Sequence, residues 1–243
     1  MSSPLRLHVP QALSQGQILD LPPGAVRHVQ VRRLQPGDPL VVFDGQGGQW
    51  GAELLQMGRQ SAQLRLGPVQ PVLPELPCAV TLALGVPANE RMDTLVEKAT
   101  ELGVACLQPL ITERSVLRLD GDRAAKRRAH WQAIAAAASE QCGRATVPEV
   151  LPMMTLPAWL QGLPAALSES RCLLWPADPS QPLRGMDLPG SRLLALSGPE
   201  GGLTLAEARL ALDAGFRAVS LGPRVLRADT APLALMAWVS LLP

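Results

Sequence analysis

The chain has 243 residues, 47% of them hydrophobic, and a net charge of +1. That length and hydrophobic share fit one large domain or a small one plus a medium one, each with a real core. The near-neutral balance excludes a protein that holds a polyanion through its overall field, so any such contact needs a local patch. Tyrosine is absent and aromatics make up only 3%, so aliphatic side chains must fill the core and few rings are available for bases to stack on. Cys78, Cys106, Cys142 and Cys172 form no close pair and have no His at metal spacing, which reads as buried reduced thiols and no metal site. No apolar run approaches the roughly 18 residues of a membrane helix and the first residues form no leader, so a soluble cytoplasmic protein is expected.

In chain order, residues 1–70 read as β-rich. Arg6–Val9 and Gln17–Asp20 are short strands, and Leu40–Phe43 is a firmer one stopped at Asp44-Gly45. Gln49–Leu55 is its hairpin partner, and Gln60–Leu66 alternates with Ala62, Leu64 and Leu66 on one face. A basic helix fits Gly24–Leu34, so the whole suggests a small barrel with one helix. Pro68, Pro71, Pro74 and Pro77 then favour extended chain, and residues 71–77 are taken as a linker.

From residue 78 to 243 strands and helices alternate. Ala79–Val86 is an uninterrupted apolar strand, as expected for burial on both faces. A helix capped by Asn89 runs to Gly103 with Met92, Leu95, Val96, Ala99 and Leu102 in one stripe, and Val104–Leu110 is the next strand. A long helix covers Arg123–Cys142; a strand at Pro148–Leu151, a helix at Thr155–Leu160 and a strand at Arg171–Trp175 follow. This alternation predicts an α/β domain with a parallel sheet covered by helices.

The last two strands carry the informative loops. Leu193–Ser197 runs into Gly198-Pro-Glu-Gly-Gly202, ahead of a helix whose Thr204 and Glu207 fit a capping box. Ala218–Leu221 runs into Gly222-Pro-Arg-Val-Leu-Arg227, ahead of an apolar helix over Asp229–Leu242 with Asp229-Thr230 as its cap. Both loops fall at the carboxyl edge of a parallel sheet, where open α/β folds bind ligands. Too few glycines are placed for a dinucleotide or P-loop site. Val225 and Leu226 between Arg224 and Arg227 instead suggest an apolar slot with a polar rim, suited to a flat ring such as adenine.

Those two loops, with Thr230, closely resemble the RsmE type of SPOUT methyltransferase. The resemblance extends over nearly the whole chain: Phe43-Asp-Gly45, Glu97-Lys98 with Glu101-Leu-Gly103, Pro109 with Glu113-Arg-Ser115, and Trp131 with Glu140-Gln-Cys-Gly-Arg144 and Pro148. It departs around His28, where Arg32 stands at an apolar position of the family's helix. The resemblance implies a PUA-like β-barrel followed by a SPOUT domain with a C-terminal trefoil knot, which general topology rules would not propose. It implies a homodimer, with the C-terminal helix (Leu233, Leu235, Met236, Trp238, Val239) in the interface. It also implies transfer of a methyl group from S-adenosylmethionine to N3 of a uridine in 16S ribosomal RNA of the small subunit. Ribose 2′-O-methylation by the same kind of pocket is one rival; a non-catalytic RNA-binding assembly factor is another.

The same resemblance places the cofactor between the loop Trp175-Pro-Ala-Asp178 and the two glycine loops. The expected cofactor residues are Trp175, Leu196, Ser197, Gly198, Pro199, Gly201, Leu221, Gly222, Val225, Leu226 and Thr230. N3 of uracil must lose a proton, so a cation near O2 or O4 and a proton acceptor are needed. Arg227 is the expected cation; Glu200 and Glu140 are candidate acceptors, although Glu200 could simply order its loop and Glu140 could pair with Arg144. RNA contacts are expected from Arg6, Arg27, His28, Arg32 and Arg33 in the small domain, and from Arg114. The run Arg123, Lys126, Arg127 and Arg128 is either a further contact or a solvated helix face.

Overall fold

The computed structural model describes residues 4–88, 90–117, 119–164, 169–175, 183 and 190–242. The chain forms two compact units: residues 1–75 with 136–147, and residues 76–135 with 148–243.

The first unit holds a five-stranded sheet of β1 (Arg6–His8), β2 (Ile18–Asp20), β3 (Pro39–Phe43), β4 (Gln49–Met57) and β5 (Ala62–Val69), in the order β1-β3-β4-β5-β2. β1 pairs parallel to β3, while β3, β4, β5 and β2 pair antiparallel. Helix α1 (Pro23–Val31) buries Ala25, Val26 and Val29 with Leu7, Leu40, Leu54 and Leu64 from the strands. Arg33 ends this turn in the left-handed region, φ 57°, a conformation more common for Gly or Asn. β5 continues through Pro68, so the extended proline-rich stretch begins later than the prolines alone suggest.

Residues 136–147 complete this unit, which the chain pattern did not reveal. Arg144 pairs with Glu75 at 2.5 Å and 3.2 Å, and the Val147 N–H bonds the Gly45 carbonyl. Glu140 does not pair with Arg144. Its carboxylate accepts the His8 backbone N–H at 2.8 Å and faces His28 at 3.5 Å.

The second unit is a parallel sheet of β6 (Ala79–Gly85), β7 (Cys106–Ile111), β8 (Glu149–Val150), β9 (Met154–Thr155), β10 (Ser170–Leu174), β11 (Arg192–Ser197) and β12 (Arg217–Val219). The order is β12-β10-β11-β6-β7-β8, with β9 also on β7. β11 therefore enters between β10 and β6, and β12 pairs on the other side of β10. Val80, Leu82, Ala83, Leu194, Ala195 and Leu196 are buried, the burial on both faces that their uninterrupted apolar runs imply.

Helix α2 (Arg91–Glu101) buries Met92, Leu95, Val96 and Ala99 as its periodicity requires; Asn89, its expected cap, lies outside the described residues. Helix α3 (Gly121–Cys142) contributes residues to both units. α4 (Leu156–Gln161) is capped by Thr155. α5 (Leu205–Asp213) opens with the expected capping box between Thr204 and Glu207. α6 (Thr230–Ser240) differs: Asp229 makes no side-chain cap, and the Arg227 carbonyl instead receives the Thr230 and Ala231 N–H groups. No helix among the described residues is long and apolar enough to cross a membrane. All four cysteines are free; burial pushes the Cys172 thiol up to about 12, which suits an inert core side chain.

Candidate functional site

β10, β11 and β12 all end on one edge of the sheet, and the loops that follow β11 and β12 enclose a cavity of about 580 Å³. That volume lies within the range of small-molecule sites, and the position is the one open parallel sheets use. Trp175 and Leu174 form its β10 wall, and residues 197–203 form its β11 wall. Leu221, Gly222 and residues 224–228 close it from β12, with Ala231 of α6 beside them.

Small residues let the β11 loop take this path. A Cβ on Gly85, at the end of β6, would stand 2.5 Å from Pro199 Cδ and 2.8 Å from its nitrogen. One on Gly198 would meet the Leu203 nitrogen at 2.8 Å and the Gly202 carbonyl carbon at 2.9 Å. Backbone thus packs directly on backbone, and no larger side chain fits at either position.

Two arginines that also line the cavity fasten the loop. Arg114 donates to the Gly201 carbonyl at 2.7 Å, and Arg91 pairs with Glu200 at 3.2 Å. The Ala88 N–H reaches both Glu200 oxygens, at 3.0 Å and 3.2 Å. Glu200 is thereby held on the loop by two donors. Arg114 itself is placed by Glu207, which is buried and accepts the neighbouring Glu113 N–H at 2.8 Å.

Of the expected cofactor residues, Trp175, Ser197, Gly198, Pro199, Gly201, Leu221, Gly222, Val225 and Leu226 line the cavity. Leu196 sits one residue back in the core and Thr230 opens α6; neither is a lining residue. Pro176–Asp178 lie outside the described residues. Arg227 and Glu200 line the cavity, whereas Glu140 belongs to the first unit. Arg227 is exposed, and its side chain makes no hydrogen bond or ion pair among the described residues. Arg224, read from the sequence as part of the slot's polar rim, lines the cavity; sequence reasoning missed Arg91, and Arg114, expected to contact RNA, lines the cavity as well.

The basic residues of the first unit divide into two groups. Arg6 is half-buried: Nη1 donates to Gln49 at 2.6 Å, Nη2 donates to the Arg144 carbonyl at 3.0 Å, and the guanidinium lies over Phe43. It ties the unit together and offers little to a phosphate. Arg27, His28, Arg32 and Arg33 are exposed along and just beyond α1. Within the run on α3, Arg128 donates to the Val150 carbonyl at 2.6 Å and Arg127 lies over Trp131, while Arg123 and Lys126 are exposed. No group of His, Cys, Asp and Glu among the described residues could hold a metal ion.

The fold and cavity define an α/β protein with a cavity of small-molecule size between two strand-end loops, joined to a small β unit that carries an exposed basic helix. A family model described as RNA methyltransferase domain matches residues 74–240, and one described as RNA methyltransferase PUA domain matches residues 21–67. Ribosomal RNA small subunit methyltransferase E of Synechocystis is 38% identical over 217 residues, covering 88% of this chain and 69% of that protein. The protein of the same name from Bacillus subtilis is 32% identical, covering 87% and 85%. A crystal structure of ribosomal RNA small subunit methyltransferase E from Neisseria gonorrhoeae, bound to S-adenosyl methionine, superposes with a TM-score of 0.91 at 39% identity over 97% of this chain and 96% of that one. The chain belongs to this RNA methyltransferase family.

Proposed function

We propose that the protein transfers a methyl group from S-adenosylmethionine to N3 of one uridine in the 16S RNA of the small ribosomal subunit. The observation that carries this reading is the cavity itself: two glycine-bearing strand-end loops, with Val225 and Leu226 as an apolar wall and Arg227 free at the edge. The residues present fit the methyl donor. Backbone of Gly198, Gly201 and Gly222 can approach it closely, Leu221 and Leu226 offer apolar surface to its adenine, and the Neisseria relative was crystallised with the same molecule. When bound, it supplies an electrophilic methyl group on a sulfonium.

The chain's own residues then have distinct tasks. Leu196 is buried in the core beneath the first loop, and the Thr230 N–H bonds the Arg227 carbonyl at the end of the second. Arg227 places a cation where O2 or O4 of the uracil gains charge as N3 loses its proton. Glu200 orders the glycine loop through Arg91 and the Ala88 N–H. Arg27, His28, Arg32 and Arg33 hold RNA phosphates, with Arg114 nearer the cavity; such contacts fix position and leave the choice of base to the cavity.

In this reading residues 1–70 act as a PUA-like barrel, residues 71–77 as a linker and residues 78–243 as the SPOUT domain, except that residues 71–75 and 136–147 pack with the barrel unit. The insertion of β11 between β10 and β6, followed by a return across β10 to reach β12, is consistent with the trefoil knot the family resemblance implies. Leu235, Met236 and Val239 of α6 are buried within the one chain, so of the expected interface residues only the half-buried Leu233 and Trp238 support a homodimer; a ribosomal substrate implies a cytoplasmic protein. Nucleoside mass spectrometry of ribosomal RNA from cells lacking the protein tests the proposal: 3-methyluridine should disappear. Loss of a 2′-O-methylated nucleoside instead, or an unchanged profile, contradicts it.

A further inference from the structure

Beside the cofactor cavity lies a second, polar recess lined by Glu90, Arg91, Asp93, Thr94, Arg127, His130 and Asp229. The two hollows share Arg91 as a wall, and Asp229 directly follows Ala228, a lining residue of the first. Inside the recess Asp93 is fully used, accepting from Trp131 Nε1 at 3.0 Å and pairing with His130 Nε2 at 2.8 Å. Asp229 is not. Its Oδ1 is buried without a hydrogen-bond partner, and it does not cap the helix it precedes. A carboxylate oxygen left so is costly unless a ligand brings it a donor.

We infer that this recess seats the uracil of the target nucleotide and that Asp229 accepts its N3 proton, an inference that rests on the proposed N3 methylation. The edge of uracil reads acceptor (O4), donor (N3–H), acceptor (O2). The recess offers Asp229 as acceptor and Arg91 as donor for one oxygen, and Arg227, two residues before Asp229 in the wall of the adjoining cavity, is the donor for the other. Arg91 spends Nη1 on Glu200 and has further N–H groups to give. His130, with Nε2 held by Asp93, presents its other ring nitrogen as a further polar contact.

The step balances. The N3–H bond breaks toward an Asp229 carboxylate oxygen, and the freed N3 electron pair forms the new bond to the methyl carbon. The carbon–sulfur pair returns to the sulfur of the departing S-adenosylhomocysteine, and the Asp229 carboxylic acid then gives its proton to water. Charged groups facing Asp229 across the recess are Glu90, Arg91 and Asp93 on the α2 side and Arg127 and His130 on α3.

The test uses the full-length protein, S-adenosylmethionine and small ribosomal subunits from cells lacking it. Asp229→Asn should bind S-adenosylmethionine within a few-fold of wild type by calorimetry, which also shows that it folds. Transfer at neutral pH should fall about 100-fold, the usual worth of a positioned base, and should recover at alkaline pH, where uracil N3 ionises unaided. Asp229→Glu should restore much of the neutral rate. In a binding assay without methyl donor, wild type should prefer unmethylated over N3-methylated subunits and Asp229→Ala should not. An equal loss at every pH, or retained discrimination in Asp229→Ala, overturns the inference. If wild type itself places no methyl on N3, the proposed function fails instead, independently of Asp229.

Discussion

Glu207 on α5 accepts the backbone N–H of Glu113 at 2.8 Å across 94 positions of sequence. Its other oxygen takes the Thr204 N–H at 2.9 Å, so one buried carboxylate closes the capping box and anchors the loop after β7. That anchor sets Arg114 beside the Gly201 carbonyl. A helix cap is thus also part of the cavity wall.

Replacing Glu207 with Ala should lower stability by about 2–4 kcal/mol, since charge-assisted hydrogen bonds contribute about 1.5–3 kcal/mol each and their donors are left unpaired. Urea unfolding measures this. Glu207→Gln should recover only part, because its amide nitrogen must face one of two N–H donors.

Gly198→Ala should weaken binding of S-adenosylmethionine. The new Cβ meets backbone at 2.8–2.9 Å, and backbone cannot rotate away as a side chain could. Overpacking strain of about 1–3 kcal/mol corresponds to about 5- to 150-fold in affinity. Calorimetric titration gives the number, and an unchanged affinity would show that the loop adapts.

Arg227→Ala should reduce methyl transfer by about 10²–10³, the worth of one preorganised donor, while cofactor affinity changes little. Equal losses in both would make Arg227 a cofactor ligand. Single-turnover rates beside equilibrium titration separate the two.

Burial raises the Glu140 carboxyl above its ordinary value of 4.5, against the lowering pull of the His8 N–H, His28 and Arg6. The folded state then binds this proton more tightly than the unfolded chain does. Its contribution to stability should fall as pH rises from about 4.5 through the raised value. His8, lowered by burial, works in the opposite sense: its contribution rises as pH climbs from that lowered value to 6.5. Urea midpoints across this acid range should show Glu140→Gln with the falling component removed, because a Gln oxygen can still accept the His8 N–H.

Much of this was legible in the chain. The unbroken apolar run of β6, the stripe of α2 and the Thr204–Glu207 box each act locally, so each forms where its pattern places it. The glycine loops were legible because Gly198 and Gly222 have a stereochemical reason to be glycine. What the pattern could not show is contact between distant segments. Arg6 reads as a free basic residue until Gln49 and the Arg144 carbonyl are seen to hold it. Asp229 has the spacing of a cap, and only the folded chain reveals that the Arg227 carbonyl does that work. The clustering of residues 136–147 with the β unit depends likewise on long-range pairs such as Arg144 with Glu75.

The most direct measurement is a reconstituted reaction of the purified protein, S-adenosylmethionine labelled in its methyl group, and small ribosomal subunits from cells lacking the protein, followed by digestion to nucleosides. The label should appear in 3-methyluridine, at one mole per mole of subunit, and nowhere else. Label in a ribose-methylated nucleoside, or none transferred while the cofactor still binds, would contradict the account.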